Sequence, residues 1–318
     1  MKKITLGAFM LLAITTACRD DSYSLPAKSS TNLVTPALHT RVSDSQSPLT
    51  GIVEAYPCVQ GSSIYFGNYV NNTLSVFYGF YNILDGNITG DYNREISLPV
   101  GTYNIVYWGT PKYEEPIHTT PAIVEPGLTL GADLSQLYFG LRKNDQDTTY
   151  IPVYDMVHTN KEVHIGQEDL EANMNRVVAG LKVIVKAKNN AVINSNITDM
   201  KVLIGGIAEK LNLYTAEPAN MTKTVKFDLV RSTDNTEMSN AMVMLFPSTA
   251  NPPLTLVITL KDGSVHTLSK NLASTLTANT RLTVNIVIGD IFAGGSSGKF
   301  TIENWNEASE TIEFPVVD

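Results

Sequence analysis

Apolar and polar residues alternate at every second position through most of the chain beyond residue 50. Between Arg176 and Lys186 the apolar side chains occupy the odd positions, namely Val177, Ala179, Leu181, Val183 and Val185. The same spacing recurs over 254–260 and 282–288. An extended strand with this period buries one face and exposes the other, as the strands of antiparallel sheets do. The pattern therefore predicts an all-β chain.

Turn signals divide the alternating segments into short strands. Asp262-Gly263 between two alternating runs is typical of a tight β-hairpin. Pro247, Pro252 and Pro253 are expected to end or edge strands, because proline has no N–H to donate to a ladder. Only 166–175 is helix-like in composition, and this stretch is short.

Strands of this length and spacing are typical of antiparallel β-sandwiches. The length remaining after the N-terminal region is too great for one small sandwich. We therefore expect two tandem domains, at residues 49–170 and 171–318.

The N-terminus has the character of an export signal. Two lysines, an apolar run from Ile4 to Ile14 and small residues precede Cys18, which describes a secretory signal peptide over residues 1–17. A cysteine directly after the small residues resembles a bacterial lipobox, in which the thiol of Cys18 would carry the lipid. The alternative is a plain signal peptide with an incidental cysteine. The run is too short to span a bilayer as a helix.

Residues 18–48 are rich in Ser, Thr, Asp and Pro, and we expect them to form a flexible tether. Extended chain of this length reaches roughly 100 Å at ~3.3 Å per residue. Arg41 within it is a candidate cleavage site for a trypsin-like protease, although an ordinary linker arginine is the competing interpretation.

Composition excludes several classes of function. A formal net charge of −8 argues against nucleic acid as a partner, because phosphate neutralisation requires Lys and Arg. With Cys18 set aside, Cys58 is the other cysteine of the sequence, so neither an intrachain disulfide nor a cysteine-rich metal site is expected.

No residues at a recognisable spacing predict catalysis, and we expect a non-enzymatic protein without a cofactor. His158, Glu162 and His164 would share one face of a strand, but solvated histidines are the simpler interpretation. Asp145 and Asp147 supply oxygen ligands without the glycine and distal glutamate of a calcium loop, which favours a polar turn.

Aromatic residues are concentrated between Tyr65 and Tyr113. Alternation buries about half of such a set, so the remaining rings are candidates for a binding surface for sugars or proteins. The candidate rings are Tyr78, Phe80, Tyr107 and Trp108. The alternative is a tyrosine-rich outer sheet face without a ligand.

Four segments, in this order, resemble the fimbrillin-like lipoproteins of type V pili. They are Leu98-Pro99-Val100-Gly101-Thr102-Tyr103, Asn175-Arg176-Val177-Val178-Ala179-Gly180-Leu181, the stretch from Asp262 to Leu282, and Phe300-Thr301-Ile302-Glu303-Asn304-Trp305. The nearest group is the FimB/Mfa-type family of minor fimbrial anchor and accessory subunits. The resemblance covers most of residues 50–318.

This resemblance implies two transthyretin-like sandwiches behind a lipoprotein signal. Asp20-Asp21 is similar to the export tag that directs such lipoproteins to the cell surface. The implied partners are the outer membrane, other fimbrial subunits and host proteins or glycans. Stalk subunits of this family are cut after an Arg and accept a donated strand, whereas anchor members stay uncut.

The C-terminal tail has apolar residues at alternate positions, which suits strand donation to a partner. These residues are Ile312, Phe314 and Val316. An ordinary final strand of the second domain is the alternative. Our first hypothesis is an anchor, accessory or tip subunit of a fimbria at the cell surface. The rival hypothesis is a surface lipoprotein that binds glycans through the aromatic residues of its first domain.

Overall fold

The structure, a computed structural model, describes residues 32–43, 48–111, 123–124, 127–289 and 302–311. Within these ranges every regular element is a β-strand, apart from two single-turn 3-10 helices at Leu134–Gln136 and Lys188–Asn190. The predicted all-β class is confirmed.

Thirteen strands precede residue 178. They are β1 (Leu33–Val34), β2 (Leu38–Val42), β3 (Gly51–Val59), β4 (Asn68–Val70), β5 (Thr73–Ser75), β6 (Gly79–Leu84), β7 (Asn87–Ile88), β8 (Leu98–Pro99), β9 (Gly101–Pro111), β10 (Ile123–Val124), β11 (Tyr138–Leu141), β12 (Val157–Ile165) and β13 (Leu170–Arg176).

Nine strands follow in the described part of the C-terminal half. They are β14 (Ala179–Ala187), β15 (Ile197–Asn212), β16 (Pro218–Arg231), β17 (Glu237–Ser239), β18 (Val243–Leu245), β19 (Pro253–Leu260), β20 (Val265–Asn271), β21 (Thr280–Ile288) and β22 (Ile302–Thr311).

A seven-stranded first sheet has the order β2-β13-β12-β9-β3-β6-β7. Strand β2 runs parallel to β13, and the other neighbours are antiparallel. The pairs β1–β8 and β4–β5 form two small sheets of their own.

The second sheet has eleven strands. Its main path is β10-β11-β15-β16-β17-β14-β21-β22, with β18 paired to β14 and with β19 and β20 extending outward from β15. Strand β21 runs parallel to β14. The alternation predicted for 254–260 and 282–288 appears as strands β19 and β21, and Asp262-Gly263 lies in the turn between the antiparallel strands β19 and β20.

Two apolar clusters fill the interior. One lies on a single face of the first sheet and includes Val53, Tyr81, Ile105 and Val163. The larger cluster joins the opposite face of that sheet, through residues such as Trp108, to the second sheet. The first sheet is therefore covered on both faces, which decides the environment of several predicted site residues.

The sheets divide the chain differently from the boundary that we expected at 170/171. Strand β13 belongs to the first sheet, and the chain passes to the second sheet at Val177-Val178. In addition, β10 and β11 from the N-terminal half pair into the second sheet. The predicted continuous strand from Arg176 to Lys186 is correspondingly broken, because Arg176 ends β13 and Ala179 begins β14.

The helix-like interpretation of 166–175 is wrong. Gly166 turns the chain with a φ of +93°, and strand β13 follows. Its residues Leu170, Ala172 and Met174 are buried and alternate with exposed Glu and Asn side chains. The period of two determines the structure here, despite the Glu-rich composition.

The tether is shorter than we predicted. Strands β1 and β2 lie within residues 18–48, and β2 is part of the first sheet. Its residues Leu38, Thr40 and Val42 face inward. Three inward-facing residues in a five-residue strand are enough to keep β2 in the sheet. The alternating pattern is hard to recognise in the sequence because Thr40, one of the inward residues, is polar and is followed by Arg41.

A buried ion pair lies where the two sheets join. Arg176 Nε and Nη2 donate to Asp155 Oδ1 and Oδ2 at 2.7 and 2.9 Å, and both side chains are essentially inaccessible. Arg176 Nη1 also donates to Asn279 Oδ1, just before β21, at 3.3 Å. One guanidinium thus ties the end of a first-sheet strand to the start of a second-sheet strand.

Candidate functional sites

Strand β2 occupies the position on the first sheet beside β13. The side chains of Leu38 and Val42 are buried in the core of that sheet. At the ends of the strand, Leu170 N donates to Ala37 O and Ser43 N donates to Met174 O, both at 2.8 Å. The chain's own N-terminal region therefore fills this position.

Pro48 and Leu49 lie between β2 and the turn that precedes β7. Pro48 bridges to Arg41, and Leu49 O accepts a hydrogen bond from Gly86 N at 2.8 Å. Gly86 has a φ of +77°, and a Cβ atom there would lie 3.0 Å from Pro48 Cβ. The first sheet is thus nearly closed upon itself.

Arg41, the candidate cleavage site, lies inside β2. Its side chain is exposed and donates from Nε to Asn173 Oδ1 on β13. Its backbone lies between β13 and Pro48. A protease needs extended, unpaired backbone, so cleavage at Arg41 would require β2 to leave the sheet first. Cleavage itself stays a prediction.

The fit of β2 is imperfect at its centre. Thr40 Oγ1 is buried and has no hydrogen-bond partner among the described residues. The hydroxyl of Tyr107, in the same sheet, is also buried without a hydrogen-bond partner among the described residues, and burial raises its pKa well above the usual value. Each unpaired buried hydroxyl costs about 1–3 kcal/mol, so β2 is held less firmly than an all-apolar strand would be.

The predicted aromatic surface is wrong for two of its four residues. Tyr107 and Trp108 are buried because β9 is central in a sheet that is covered on both faces. Trp108 packs edge-on against Phe139 at 4.8 Å, and its Nε1 donates to Leu213 O at 2.8 Å. The role of Trp108 is to join the sheets.

The other two rings are half-buried near the edge of the first sheet. Tyr78 packs against Tyr56 with ring centroids 4.5 Å apart, and Phe80 lies on β6. Two neighbours of these rings were not among the predicted residues: Phe77, which is 55% exposed, and Arg94, whose guanidinium lies 4.9 Å from the Phe77 ring centroid. Phe77 lies outside any strand, so alternation gave no signal for its exposure.

The histidine pair does not form a metal site in the part of the chain that the structure describes, where no three His, Cys, Asp or Glu side chains are grouped to hold a metal. His158 is buried against Trp108, with ring centroids 4.7 Å apart, and desolvation lowers its pKa to about 4. His164 is exposed, and its Nδ1 lies 2.9 Å from Thr102 Oγ1. The two rings thus occupy different environments.

Two further predicted positions have ordinary structural roles. The ammonium of Lys226 and, to a lesser extent, Thr149 donate hydrogen bonds to Asp147, and these lower its pKa to about 2. Cys58 is buried, and burial raises the pKa of its thiol to about 12, so it is not a reactive thiolate.

Two strands of the second sheet have a single neighbour each among the residues that the structure describes. Strand β22 pairs only with β21, and β20 pairs only with β19, within the described residues. Glu307 of β22 accepts hydrogen bonds from the backbone N–H groups of Ala273 and Ser274 at 2.9 and 2.8 Å. This contact fixes β22 against the loop that follows β20.

Several predicted residues lie outside the described ranges. Cys18 precedes the first described residue, and the tail residues Ile312, Phe314 and Val316 follow the last one. Within the ranges that are described, no helix is both long and apolar enough to cross a membrane.

A nearly closed first sheet, joined to a larger second sheet, defines a two-sheet, all-β protein. The chain belongs to the family of fimbrillin-A associated anchor proteins Mfa1 and Mfa2, whose model matches residues 26–311. This membership confirms the predicted resemblance. No curated protein matches the sequence.

Solved structures share the fold at low sequence identity. The fimbrial anchor protein Mfa2 from Porphyromonas gingivalis aligns with a TM-score of 0.52 and 12% identity, over 88% of this chain and 98% of its own. A protein from Bacteroides ovatus assigned as an adhesin aligns with a TM-score of 0.53 and 11% identity, over 88% and 97%. One from Bacteroides thetaiotaomicron assigned to polysaccharide binding aligns at 0.51 and 12%, over 87% and 96%.

Proposed function

We propose that this protein is a lipoprotein that anchors a fimbria to the outer face of the outer membrane. The observation that carries the proposal is family membership across residues 26–311. Lipid on Cys18 would fix the chain, and residues 19–31 would connect the lipid to the folded body, which begins near β1. The role is mechanical, and no catalytic step is involved.

The anchor role requires β2 to stay in the first sheet, because a stalk subunit would have to lose this strand to offer a vacant position to the next subunit. In the uncut chain Leu38 and Val42 are buried in that sheet, and Leu49 O accepts a hydrogen bond from Gly86 N beside β7. In our proposal β2 stays in place and Arg41 is not cut.

Contact with the neighbouring fimbrial subunit then falls to the second sheet. Strand addition uses backbone hydrogen bonds for affinity and pockets for alternate side chains for specificity. The tail continues directly from β22 and carries Ile312, Phe314 and Val316 at the required spacing. We propose that this tail pairs with the neighbouring subunit, with Pro315 omitting one ladder bond.

A cysteine variant tests the proposal. Cys18→Ala removes the lipid attachment point, and Cys58→Ala serves as the matched control because Cys58 is buried and unmodified in our account. Cells carrying each variant are compared for filaments retained on the cell and filaments shed to the medium.

The anchor proposal expects filaments in the medium for Cys18→Ala and wild-type retention for Cys58→Ala. Filaments that stay on the cell in the Cys18→Ala strain would contradict it. Labelling with radioactive palmitate, lost in Cys18→Ala and kept in Cys58→Ala, checks the lipid attachment separately.

A further inference from the structure

Near the β6–β7 edge of the first sheet, an acid, an aromatic ring and a base lie in a row. Glu54 on β3 is the cross-strand partner of Phe80 on β6, and Phe80 pairs in turn with Arg94. Two hydrogen bonds of 2.8 and 2.7 Å between the backbones of Phe80 and Arg94 fix the second pair. Directly paired residues point to the same face, so the three side chains lie side by side.

The base in this row is held by two further rings. The guanidinium carbon of Arg94 lies 4.9 Å from the Phe77 ring centroid and 5.5 Å from that of Tyr78. Arg94 Nη1 also donates to Tyr78 O at 3.0 Å. Because these contacts already fix the guanidinium of Arg94, its side chain loses little conformational entropy when it binds a ligand.

The acid in the row is oriented as well. Tyr56 donates its hydroxyl proton to Glu54 Oε2 at 2.9 Å, and Tyr56 itself packs against Tyr78. Glu54, Phe80 and Arg94 are all half-buried, whereas Phe77 is more than half exposed. The surface therefore combines an exposed ring with one oriented acceptor and one oriented donor.

We propose that this surface, made of Glu54, Phe77, Phe80 and Arg94, binds a neutral glycan. A sugar ring has an apolar C–H face that stacks on an aromatic ring, and its hydroxyls both donate and accept hydrogen bonds. The carboxylate of Glu54 accepts from such hydroxyls, and the guanidinium of Arg94 donates to them.

Charge favours a neutral ligand over a charged one. The row carries one negative and one positive group, and the whole chain has a formal net charge of −8. An acidic glycan would meet Glu54 and the field of an acidic protein, which disfavours it. Within the row the charges of Glu54 and Arg94 cancel, so the row itself does not select a cation. A ring of hydroxyls is complementary to both groups at once.

The test uses the full-length chain in detergent, titrated with maltohexaose, cellohexaose and mannohexaose, with hexagalacturonate as the acidic comparison. Saturation-transfer NMR measures binding and the dissociation constant. Phe77→Ala removes the exposed ring. Arg94→Lys keeps the positive charge but removes the planar guanidinium and its paired N–H donors. Tyr92→Ala is the matched control, since Tyr92 is an aromatic residue that is 88% exposed and lies outside the row.

The proposal expects at least one neutral hexasaccharide to bind, with a dissociation constant raised about tenfold by Phe77→Ala, since an aromatic stacking contact is worth up to about that factor. Arg94→Lys is expected to weaken binding and Tyr92→Ala to leave it unchanged. Three results would overturn it: no binding of any neutral probe at millimolar concentration, binding of hexagalacturonate alone, or equal loss in Tyr92→Ala and Phe77→Ala. Thermal unfolding of each variant confirms that the fold is intact.

This inference does not depend on the anchoring role. A chain with Cys18→Ala should still bind the glycan, and Phe77→Ala should still retain filaments on the cell. If Phe77→Ala instead abolished capture of a fimbrial subunit and no glycan bound, the surface would be a protein interface and the glycan assignment would be wrong.

Discussion

Strands β2 and β22 both stand at the end of a strand order, yet they present different edges. On its outer side β2 meets Pro48, and the sheet continues through Leu49 towards Gly86. Strand β22 runs for ten residues beside β21 alone, among the residues that are described. The first sheet is thus closed by its own chain, whereas in the described part of the second sheet one long side of β22 has no neighbouring strand.

This difference shows that edge status is set by what the chain does next and not by the strand itself. Pro48 and Leu49, which come after β2 in the sequence, lie against the outer side of β2 and beside Gly86, whereas no described residue pairs with the outer side of β22. An open edge invites unwanted pairing, and polar side chains along it reduce that risk. The other open strand, β20, exposes Thr267, Ser269 and Lys270 in this way.

The largest expected effect on stability comes from removing Arg176, whose ion pair with Asp155 lies where the two sheets join. Arg176→Ala leaves Asp155 as an unpaired buried charge, which should lower the free energy of unfolding by about 3–5 kcal/mol. Urea unfolding of the full chain measures the change.

Lys161→Ala is the matched control for the joint. It removes an exposed ion pair to Glu171 at 3.5 Å, and the expected loss is below about 1 kcal/mol. Equal effects of the two variants would contradict a structural joint at Arg176.

The contrast between the two edges predicts that the same substitution, Val→Ala, lowers the free energy of unfolding by different amounts in β2 and in β20. Val42→Ala in β2 removes a fully buried side chain and should cost about 2–3 kcal/mol. Val265→Ala in β20, where the residue is 58% exposed, should cost less than about 0.5 kcal/mol. Thermal or urea unfolding distinguishes them. Similar values would mean that β2 is not an integral strand of its sheet.

The interface between the sheets should be acid-sensitive through His158. Its pKa falls from 6.5 to about 4 on folding, because burial disfavours the charged ring. The unfolded chain therefore binds a proton between these values that the folded chain does not. Stability should fall as pH falls through this window, by about 2–3 kcal/mol in total.

Unfolding free energies measured from pH 7 to pH 4 check this slope. His158→Gln should flatten it. An unchanged slope in His158→Gln would show that carboxylates alone cause the acid sensitivity.

The smallest effect concerns the centre of β2. Thr40→Val replaces a buried hydroxyl that has no partner in the described structure with a methyl group of the same shape, which should raise stability by about 1 kcal/mol. Thr255→Val is the control, because Thr255 Oγ1 lies 2.8 Å from Ser269 Oγ, and no gain is expected there. A loss of stability in Thr40→Val would mean that the hydroxyl is satisfied.

Much of the fold was predictable because local periodicity determines it. The segments 254–260 and 282–288, which alternate in sequence, form strands β19 and β21. Asp262-Gly263 forms the hairpin turn between β19 and β20. The Arg176–Asp155 pair was not predictable, because it depends on where the chain crosses between sheets and joins residues far apart in sequence.

Burial of the aromatic residues was predictable only in part. A strand pattern assigns Tyr107 and Trp108 to opposite faces, but it cannot tell that both faces of β9 are covered. The contact between Arg94 and Phe77 also needed the tertiary structure, since 17 positions separate the two residues.

The N-terminus of the mature protein tests the central claim most directly. Intact-mass and peptide analysis of the protein isolated from the cell surface would identify its first residue. Our account predicts a lipid-bearing Cys18 at the N-terminus, with β2 retained in the first sheet. A mature chain that begins at Val42, produced by cleavage after Arg41, would contradict it, because both the lipid and most of β2 would then be lost.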